Sequence, residues 1–450
     1  TETVRLLQSL VDKSLVQADM SDFEPRYSML DALRTYAREK LSQSEEHADI
    51  PKRHATYFTK FVNDRDKDYA RAVRMGRQSF PDAGGLMSFV TPIRREMDNV
   101  RAALEWSITN GNDPNLGANL VSSLWRFFVA QSLFAEGERW AQAAIDALGP
   151  SIDGSAEGPL QLVRALTLSA PYYMPAYRRD DGNNVLLATE RAVELLARYQ
   201  QEDEFRLSLA MGVLVMNLQI DGRSKDAQTV AQEALGLAQE QQDPIRIAIA
   251  LYFQAFSVDP EDMDQRMAIL KGAYERYSEV GFAFGVAYTL LAFAEASFEN
   301  GEIASAVQSA TQAQSFFQQT NDKSVLALVR GNIGKYFTAL NNLEQAQESA
   351  YDALVLAQQS ADPSSIAIAL QVFAGIAVVK GNATSAARIL GASDGLLEAA
   401  HSHRVLYALS HYQQVRAAIT LALSERDLQS ASRLGRSWQL SEAIAAATAF

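Results

Sequence analysis

The feature that most limits what this chain can fold into is the run from Val325 to Ala361, VLALVRGNIGKYFTALNNLEQAQESAYDALVLAQQSA. Two amphipathic segments meet there at Asn341-Asn342, with small residues at Gly334, Ala346 and Ala353 and an aromatic at Phe337. Helices that cross closely need small side chains at the crossing, because a longer one pushes the axes apart. The spacing predicts the helical hairpin of a tetratricopeptide (TPR) repeat. One hairpin cannot bury its apolar face by itself, so stacked neighbours must follow on both sides.

The neighbours are legible. Hairpin turns are predicted at Gly222, near Asp259-Pro260, at Gly301, at Asn341-Asn342 and at Gly381. Turns between repeats are predicted at Asp243-Pro244, Gly281-Phe282, Asn321-Asp322 and Asp362-Pro363. Each series advances by about 40 residues, against about 34 in the standard unit. Small positions recur as Ala227, Ala231 and Ala234, then Ala306, Ala310 and Ala313, then Ala346, Ala350 and Ala353. Asp-Pro at a helix start combines a cap with a preset first turn. The segment 260–281 departs from the pattern, with Gly272 and Tyr274 where alanines are expected. Before the array, Leu116 to Val129 and Ala135 to Leu148 form a first hairpin closed by Trp140, Ala144 and Ala147, and a Gly/Ser/Pro link follows at 149–159.

The first 45 residues follow another plan. Glu2 to Asp12 carries Val4, Leu7, Leu10 and Val11 on one helical face. Ser14–Ala18 and Arg26–Leu30 read as two short strands around a polar connection, and Asp31 caps a helix to about Leu41 or Ser44. Helix, hairpin and helix look like the later part of a winged-helix domain. A helix from His54 to Tyr69 follows, with Tyr57, Phe58 and Phe61 as its apolar face. Residues 78–92 hold two prolines and a Gly-Gly pair and read as a loop, and Met97 to Asn110 returns to helix.

Composition narrows the chemistry. The 450 residues include no cysteine, which excludes disulfides, thiol nucleophiles and thiolate metal sites. A net charge of −13 disfavours a general nucleic-acid or anionic-membrane binder, since both require a cationic surface. No apolar run approaches the ~18 residues of a membrane span and no signal peptide is visible, so a cytoplasmic protein is expected. The chain starts on Thr1 and at once enters an amphipathic helix, which reads as a piece of a larger protein.

Several segments carry a family resemblance. LVDKSLVQ (Leu10–Gln17), RYSMLDALRTYAREKL (Arg26–Leu41) and RHATYF (Arg53–Phe58) resemble a run common in bacterial STAND regulators. These are signal-transducing ATPases, many of them transcription factors of the AfsR, LuxR or maltose-activator type. EMDNVRAALEWSI (Glu96–Ile108), the stretch Leu124–Leu148, AARILGASDGLLE (Ala386–Glu398) and GRSWQLSEAIAAA (Gly435–Ala447) are similar to later parts of the same family, in the same order. The resemblance implies the end of a winged-helix domain joined to a TPR sensor. No G-x-x-x-x-G-K-[ST] phosphate loop is present, so the ATPase activity of the family has no residues here.

Each candidate site has a plainer reading beside it. His401, His403 and His411 lack a completing carboxylate or thiolate motif, and His-x-His on a helix points its rings apart, so exposed or capping histidines are expected rather than metal ligands. The acidic run Asp259–Asp264 fails the calcium-loop pattern and reads as a capping turn. Arg71, Arg74 and Arg77 are interleaved with Asp64, Asp66 and Asp68, so a solvated face or an interdomain salt-bridge surface is expected. No G-x-S-x-G elbow or other catalytic arrangement is found. The aromatic and polar residues of the first repeat helices remain: Tyr252, Tyr288, Arg330, Asn332 and Tyr336, with a second group at Tyr173, Tyr177 and Arg178. On a concave superhelical face these residue types would hold a small molecule or a peptide; otherwise most are inter-repeat core. Arg330 and Asn332, set in an apolar run, need partners.

The expected fold is an all-α, TPR-like solenoid preceded by a partial winged-helix domain. The expected division is 1–45 winged helix, 46–112 helical linker, 113–400 repeats and 401–450 C-terminal cap. The expected function is non-catalytic signal reception, in which a protein partner or small-molecule inducer binds and the chain docks on a nucleotide-binding domain, with no cofactor, no nucleic acid and no membrane contact. The alternative is a constitutive protein-interaction or oligomerisation scaffold.

Overall fold

The computed structural model describes residues 2–20, 25–74, 82–148, 204–360, 363–400 and 406–449, with isolated positions between 186 and 197. Left-handed residues punctuate its second half. Gly222, Gln242, Gly281, Gly301, Asn321, Asn341 and Gly381 all have φ between 52° and 81°, each just after a helix. A residue at positive φ turns the backbone out of the helix and frees the last carbonyls for new partners. Glycine or asparagine, the residues that adopt this conformation most cheaply, fill six of those seven positions.

The first elements are α1 (Glu2–Asp12), β1 (Gln17–Asp19), β2 (Arg26–Ser28) and α2 (Asp31–Ser42). The strands pair antiparallel, with Ala18 opposite Tyr27. Next come α3 (Asp49–Arg74), α4 (Gly84–Arg95), α5 (Met97–Leu104), a π-turn at Glu105–Thr109, α6 (Pro114–Ala130) and α7 (Phe134–Leu148). The solenoid follows as α8 (Glu204–Ile220), α9 (Ser224–Glu240), α10 (Pro244–Gln254), α11 (Met263–Glu279), α12 (Ala283–Glu299) and α13 (Ile303–Thr320). It continues as α14 (Lys323–Ala339), α15 (Leu343–Ser360), α16 (Pro363–Val379), α17 (Ala383–Ala399), α18 (Leu406–Ala422), α19 (Glu425–Arg436) and α20 (Leu440–Thr448).

Consecutive helices pair as hairpins, and the first helices of successive hairpins also touch, as α14 touches α16 and α16 touches α18. The expected small residues close the crossings. Ala306, Ala310, Ala313, Ala346, Ala350 and Ala353 are completely buried. A Cβ on Gly334 would stand 3.2 Å from the Ala346 carbonyl, so the α14–α15 crossing is as close as backbones allow there. The predicted Asp-Pro start is realised at α10, where Asp243 accepts from the N–H groups of Ile245 and Arg246 and Pro244 takes the first turn. The acidic turn caps α11, with Asp262 accepting from the Gln265 N–H at 3.1 Å.

One apolar core runs from Ala55 to Tyr336, and a second from Ala327 to Ala447. The helices α3 to α7 therefore share their core with the middle of the solenoid. Arg126 fastens α6 to α3 through Asp66 at 2.9 Å. Polar bonds link the same block to the turn between α13 and α14. Ser132 donates to the Asp322 carboxylate at 2.8 Å, the Ala83 N–H reaches Gln319 Oε1 at 3.1 Å, and Arg94 reaches the Thr320 carbonyl at 3.5 Å.

Three expectations are corrected. The loop expected at 78–92 is largely the helix α4, because Leu86, Phe89, Val90 and Ile93 recur at helical spacing and bury their side chains, and that gain outweighs the bond lost at Pro92. The helix expected from His54 to Tyr69 extends over Asp49–Arg74, and Tyr57 lies on its exposed side while Ala55, Phe58, Val62, Tyr69 and Val73 face inward. The strands are shorter than expected, three residues each.

Candidate functional site

The helices α12, α14 and α16 start at residues 283, 323 and 363. Side chains 40 apart therefore occupy the same place on successive first helices. One such column is Glu295, Lys335, Gly375 and Val415, and another, one turn earlier, is Leu291, Gly331, Gln371 and His411. The two columns are four residues apart and so share a helix face. They concentrate charge and polarity where the repeat is otherwise apolar.

Lys335 Nζ meets Glu295 Oε2 at 2.5 Å, with both side chains 2% exposed. Tyr336 donates its hydroxyl to the same oxygen at 3.1 Å. The ammonium also stands over the rings of Phe298 and Tyr336, at 4.7 and 5.0 Å from their centroids. Burial pushes the Glu295 carboxyl above the usual carboxylate range, and Lys335 opposes that rise. Glu295 Oε1 is buried without a hydrogen-bond partner.

His411 sits on the neighbouring first helix α18. One ring nitrogen bonds the Gln371 backbone, while Nε2 is buried and has no partner. Burial foremost, then the Lys335 charge, lowers its pKa to about 3, so the ring is neutral at physiological pH and Nε2 presents a lone pair. Gly375 makes the space: a Cβ there would lie 3.1 Å from His411 Cε1. Lys335, Thr338, Gly375, His411, Gln414 and Val415 line a cleft of about 160 Å³. Phe298, Val378, Val379 and Ala418 supply its apolar walls.

The residues singled out from the sequence are distributed unevenly around this cleft. Tyr336 belongs to it through Glu295. Tyr252 and Tyr288 are buried in the main core, packed on Phe253 and Phe256 and on Phe284 and Phe317 respectively. Arg330 pairs with Asp352 of α15 at 3.5 Å, and Asn332 is buried within α14. Tyr173, Tyr177 and Arg178, like His401 and His403, lie outside the described residues. His411 is neither exposed nor a cap, as expected of it, because the small residue at 375 admits its ring into the core. Among the described residues no three His, Asp or Glu side chains are grouped as for a metal ion. Inspection of the sequence by residue type missed Glu295, Lys335 and Gln371 and gave His411 an exposed or capping place; aligning the first helices on a 40-residue period puts the four on one face.

No family model matches the chain. It is 33% identical over 144 residues to a Mycobacterium bovis protein named an HTH-type transcriptional regulator, and equally to counterparts in two strains of Mycobacterium tuberculosis. That alignment takes in 31% of this chain and 14% of the relative, so the chain spans a small part of the length of the relatives it matches. Among solved structures it is similar to a STAND protein with a tetratricopeptide repeat sensor from Pyrococcus horikoshii, at 16% identity and a TM-score of 0.40 over 94% of this chain and 60% of that one. It is also similar to a Rap protein complexed with Competence and Sporulation Factor, at 13% identity and a TM-score of 0.39 over 69% and 96% of the two chains. BtubC from P. vanneervenii gives 21% identity and a TM-score of 0.39 over 53% and 92%.

Proposed function

We propose that the chain is the signal-receiving module of a transcriptional regulator of the STAND type. A ligand or partner binds the layer of first helices, and its occupancy biases how the module docks on neighbouring domains. The observation that carries this reading is the cleft itself. A solenoid stabilised only by repeat packing has no reason to hold an ion pair and an imidazole with one unpartnered nitrogen inside its first-helix layer, because unmatched buried polar atoms are costly. The sequence match to HTH-type regulators and the ordered family motifs support the regulatory context. The module is non-catalytic in this reading, and the reaction of any ATPase domain belongs elsewhere in the regulator.

The N-terminal block supplies the output side of the proposal. Among the described residues from 2 to 42 only Val16 is buried, while Val4, Leu6, Met20, Tyr27, Leu30 and Tyr36 are exposed. Apolar side chains concentrated in this way mark a contact surface, here for an adjoining nucleotide-binding domain. The same surface supports the second reading, a constitutive interaction scaffold.

Thermal shift of the chain against metabolite and peptide fractions of a cell extract separates the two. A sensor gains stability from a fraction by mass action, and Ala418→Trp, which fills the cleft, removes that gain. If no fraction raises the melting temperature while light scattering shows self-association, the scaffold reading replaces the sensor.

A further inference from the structure

The end of the solenoid departs from the pairing that builds the rest. The helix α19 lies against α17, where Gly391 and Gly435 bring the backbones together, and scarcely touches α18, its neighbour in the chain. The three helices therefore enclose a cleft instead of filling it. Its volume is about 340 Å³, about twice that of the Lys335–His411 cleft and within the ~300–1,000 Å³ of small-molecule sites. The helix α18 lines both clefts with different residues: Gln414, Val415 and Ala418 face the first, and Tyr412, Arg416 and Ile419 face this one.

Charge is matched in one part of this second cleft and unmatched in another. Asp394 Oδ2 accepts from the Tyr412 hydroxyl at 3.4 Å and from Arg436 Nη2 at 3.2 Å, which joins α17, α18 and α19 and neutralises the Asp394 charge. Arg436 also pairs with Glu398. Two further charged residues line the cleft, Arg416 of α18 and Glu425 of α19. Among the described residues the Arg416 guanidinium has neither an ion-pair nor a hydrogen-bond partner, and Glu425 has no ion-pair partner. Gln429, one turn further along α19 and also in the lining, donates to Glu425 Oε1 at 3.2 Å and so holds that carboxylate on the face of the helix that borders the cleft. Leu390, Ile419 and Leu428 supply an aliphatic wall.

Two opposite charges that do not meet each other select the occupant. A metal ion or a simple cation is opposed by Arg416, and a simple anion is opposed by Glu425. A molecule carrying both charges satisfies both residues, and walls of low polarity strengthen each contact. A guanidinium takes a carboxylate through two parallel N–H bonds. We propose that the cleft between α17, α18 and α19 binds a free aliphatic α-amino acid, with its carboxylate on Arg416, its ammonium on Glu425 and its side chain against Leu390, Ile419 and Leu428. This site is separate from the Lys335–His411 cleft, and the proposal stands whether or not that cleft receives a signal.

Equilibrium dialysis of the whole chain with radiolabelled leucine tests it, with three competitors that each lack one feature. Leucine amide lacks the carboxylate, N-acetyl-leucine lacks the ammonium and glycine lacks the side chain. Leucine should bind saturably and at least about tenfold more tightly than each competitor, the ratio expected for one charge-assisted hydrogen bond or one buried aliphatic side chain. Arg416→Gln should bring leucine down to the level of leucine amide, and Glu425→Gln should bring it down to that of N-acetyl-leucine. Both side chains are exposed, so the two variants should melt with the wild type. Competition by N-acetyl-leucine or leucine amide at the strength of leucine overturns the proposal and gives the cleft to the carboxyl or amino end of a peptide. Equal binding of glycine overturns it too, because the aliphatic wall then takes no part. Leucine binding that both variants leave unchanged belongs elsewhere on the chain and overturns the assignment. Absence of saturable leucine binding overturns it outright, leaving Arg416 and Glu425 as solvated charges.

Discussion

At the scale of single residues, the ion pair inside the first-helix layer controls what can be changed. A buried pair gains little over well-packed apolar residues, but removing one member strands the other in a medium of low polarity. Glu295→Leu or Lys335→Met alone should each lose about 3–5 kcal/mol in urea unfolding. The double variant should recover most of that loss, and equal losses in single and double variants would show that the pair is not coupled. His411 gives a pH signature. Its ring refuses a proton down to about pH 3, while in the unfolded chain it titrates near 6.5. Below 6.5 the unfolded state therefore binds the extra proton, and this residue makes stability fall with falling pH by about 1.4 kcal/mol per unit. Glu295 acts in the opposite sense. Its raised carboxyl contributes stability that is fully present below the unfolded value of 4.5 and is lost as pH rises through its folded value. The His411 part is thus the difference between wild type and His411→Phe. The variant should gain on wild type steadily as pH is lowered from 6.5 toward 4.5; a difference independent of pH would contradict the buried neutral ring. Glu295 and Lys335 did not stand out in the sequence, and His411 did so only as one of three histidines expected to be exposed or capping. A lysine in an apolar helix and a lone histidine carry no signal until the repeat period places them on one face.

At the scale of elements, the hairpins were readable because both their turns and their crossings demand particular residues. Gly222, Gly301, Gly381 and Asn341 sit at positive φ where the sequence pointed to turns, and the alanine triads close the interfaces. The helix α4 was missed because Pro92 and the Gly-Gly pair outweighed an apolar period that tertiary packing then used. Near the C-terminus, α17 and α19 cross with almost no side chain between them. A Cβ on Gly391 would lie 2.4 Å from the Ser432 carbonyl, and one on Gly435 would lie 1.8 Å from the Arg388 carbonyl. These glycines belong to the two C-terminal motifs that carried the family resemblance, so part of that resemblance is a packing constraint. Gly435→Ala should separate the helices and cost about 1–3 kcal/mol, as overpacking does elsewhere. Gly236→Ala in the middle of α9, where nothing lies within 4 Å of the added carbon, should stabilise by up to about 1 kcal/mol. Calorimetry on the two variants compares them directly, and the same sign in both would refute the crossing argument.

At the scale of the whole molecule, the two largest apolar cores meet within α14. The core of α3 to α7 is continuous with that of the solenoid as far as α14, and the second core takes over within α14 and runs to α20. This continuity was hidden because it depends on contacts such as Ser132 with Asp322, 190 positions apart. Hydrogen exchange should show α3 to α7 protected together with α10 to α13, and α16 to α20 opening as a separate unit. Amides of the described residues between 2 and 42, among which Val16 is the one buried side chain, should exchange first. Equal protection throughout the chain would rule out this division.

Those contacts also have a mechanical meaning. A stack of helical hairpins behaves as a spring, each interface yielding a little. Here the coils before Asp322 are braced crosswise by the Ser132, Arg94 and Ala83 bonds, so the compliant length begins at α14. The Lys335–His411 cleft lies just past that brace, where a wedge between adjacent helices would alter the pitch of the coils that follow.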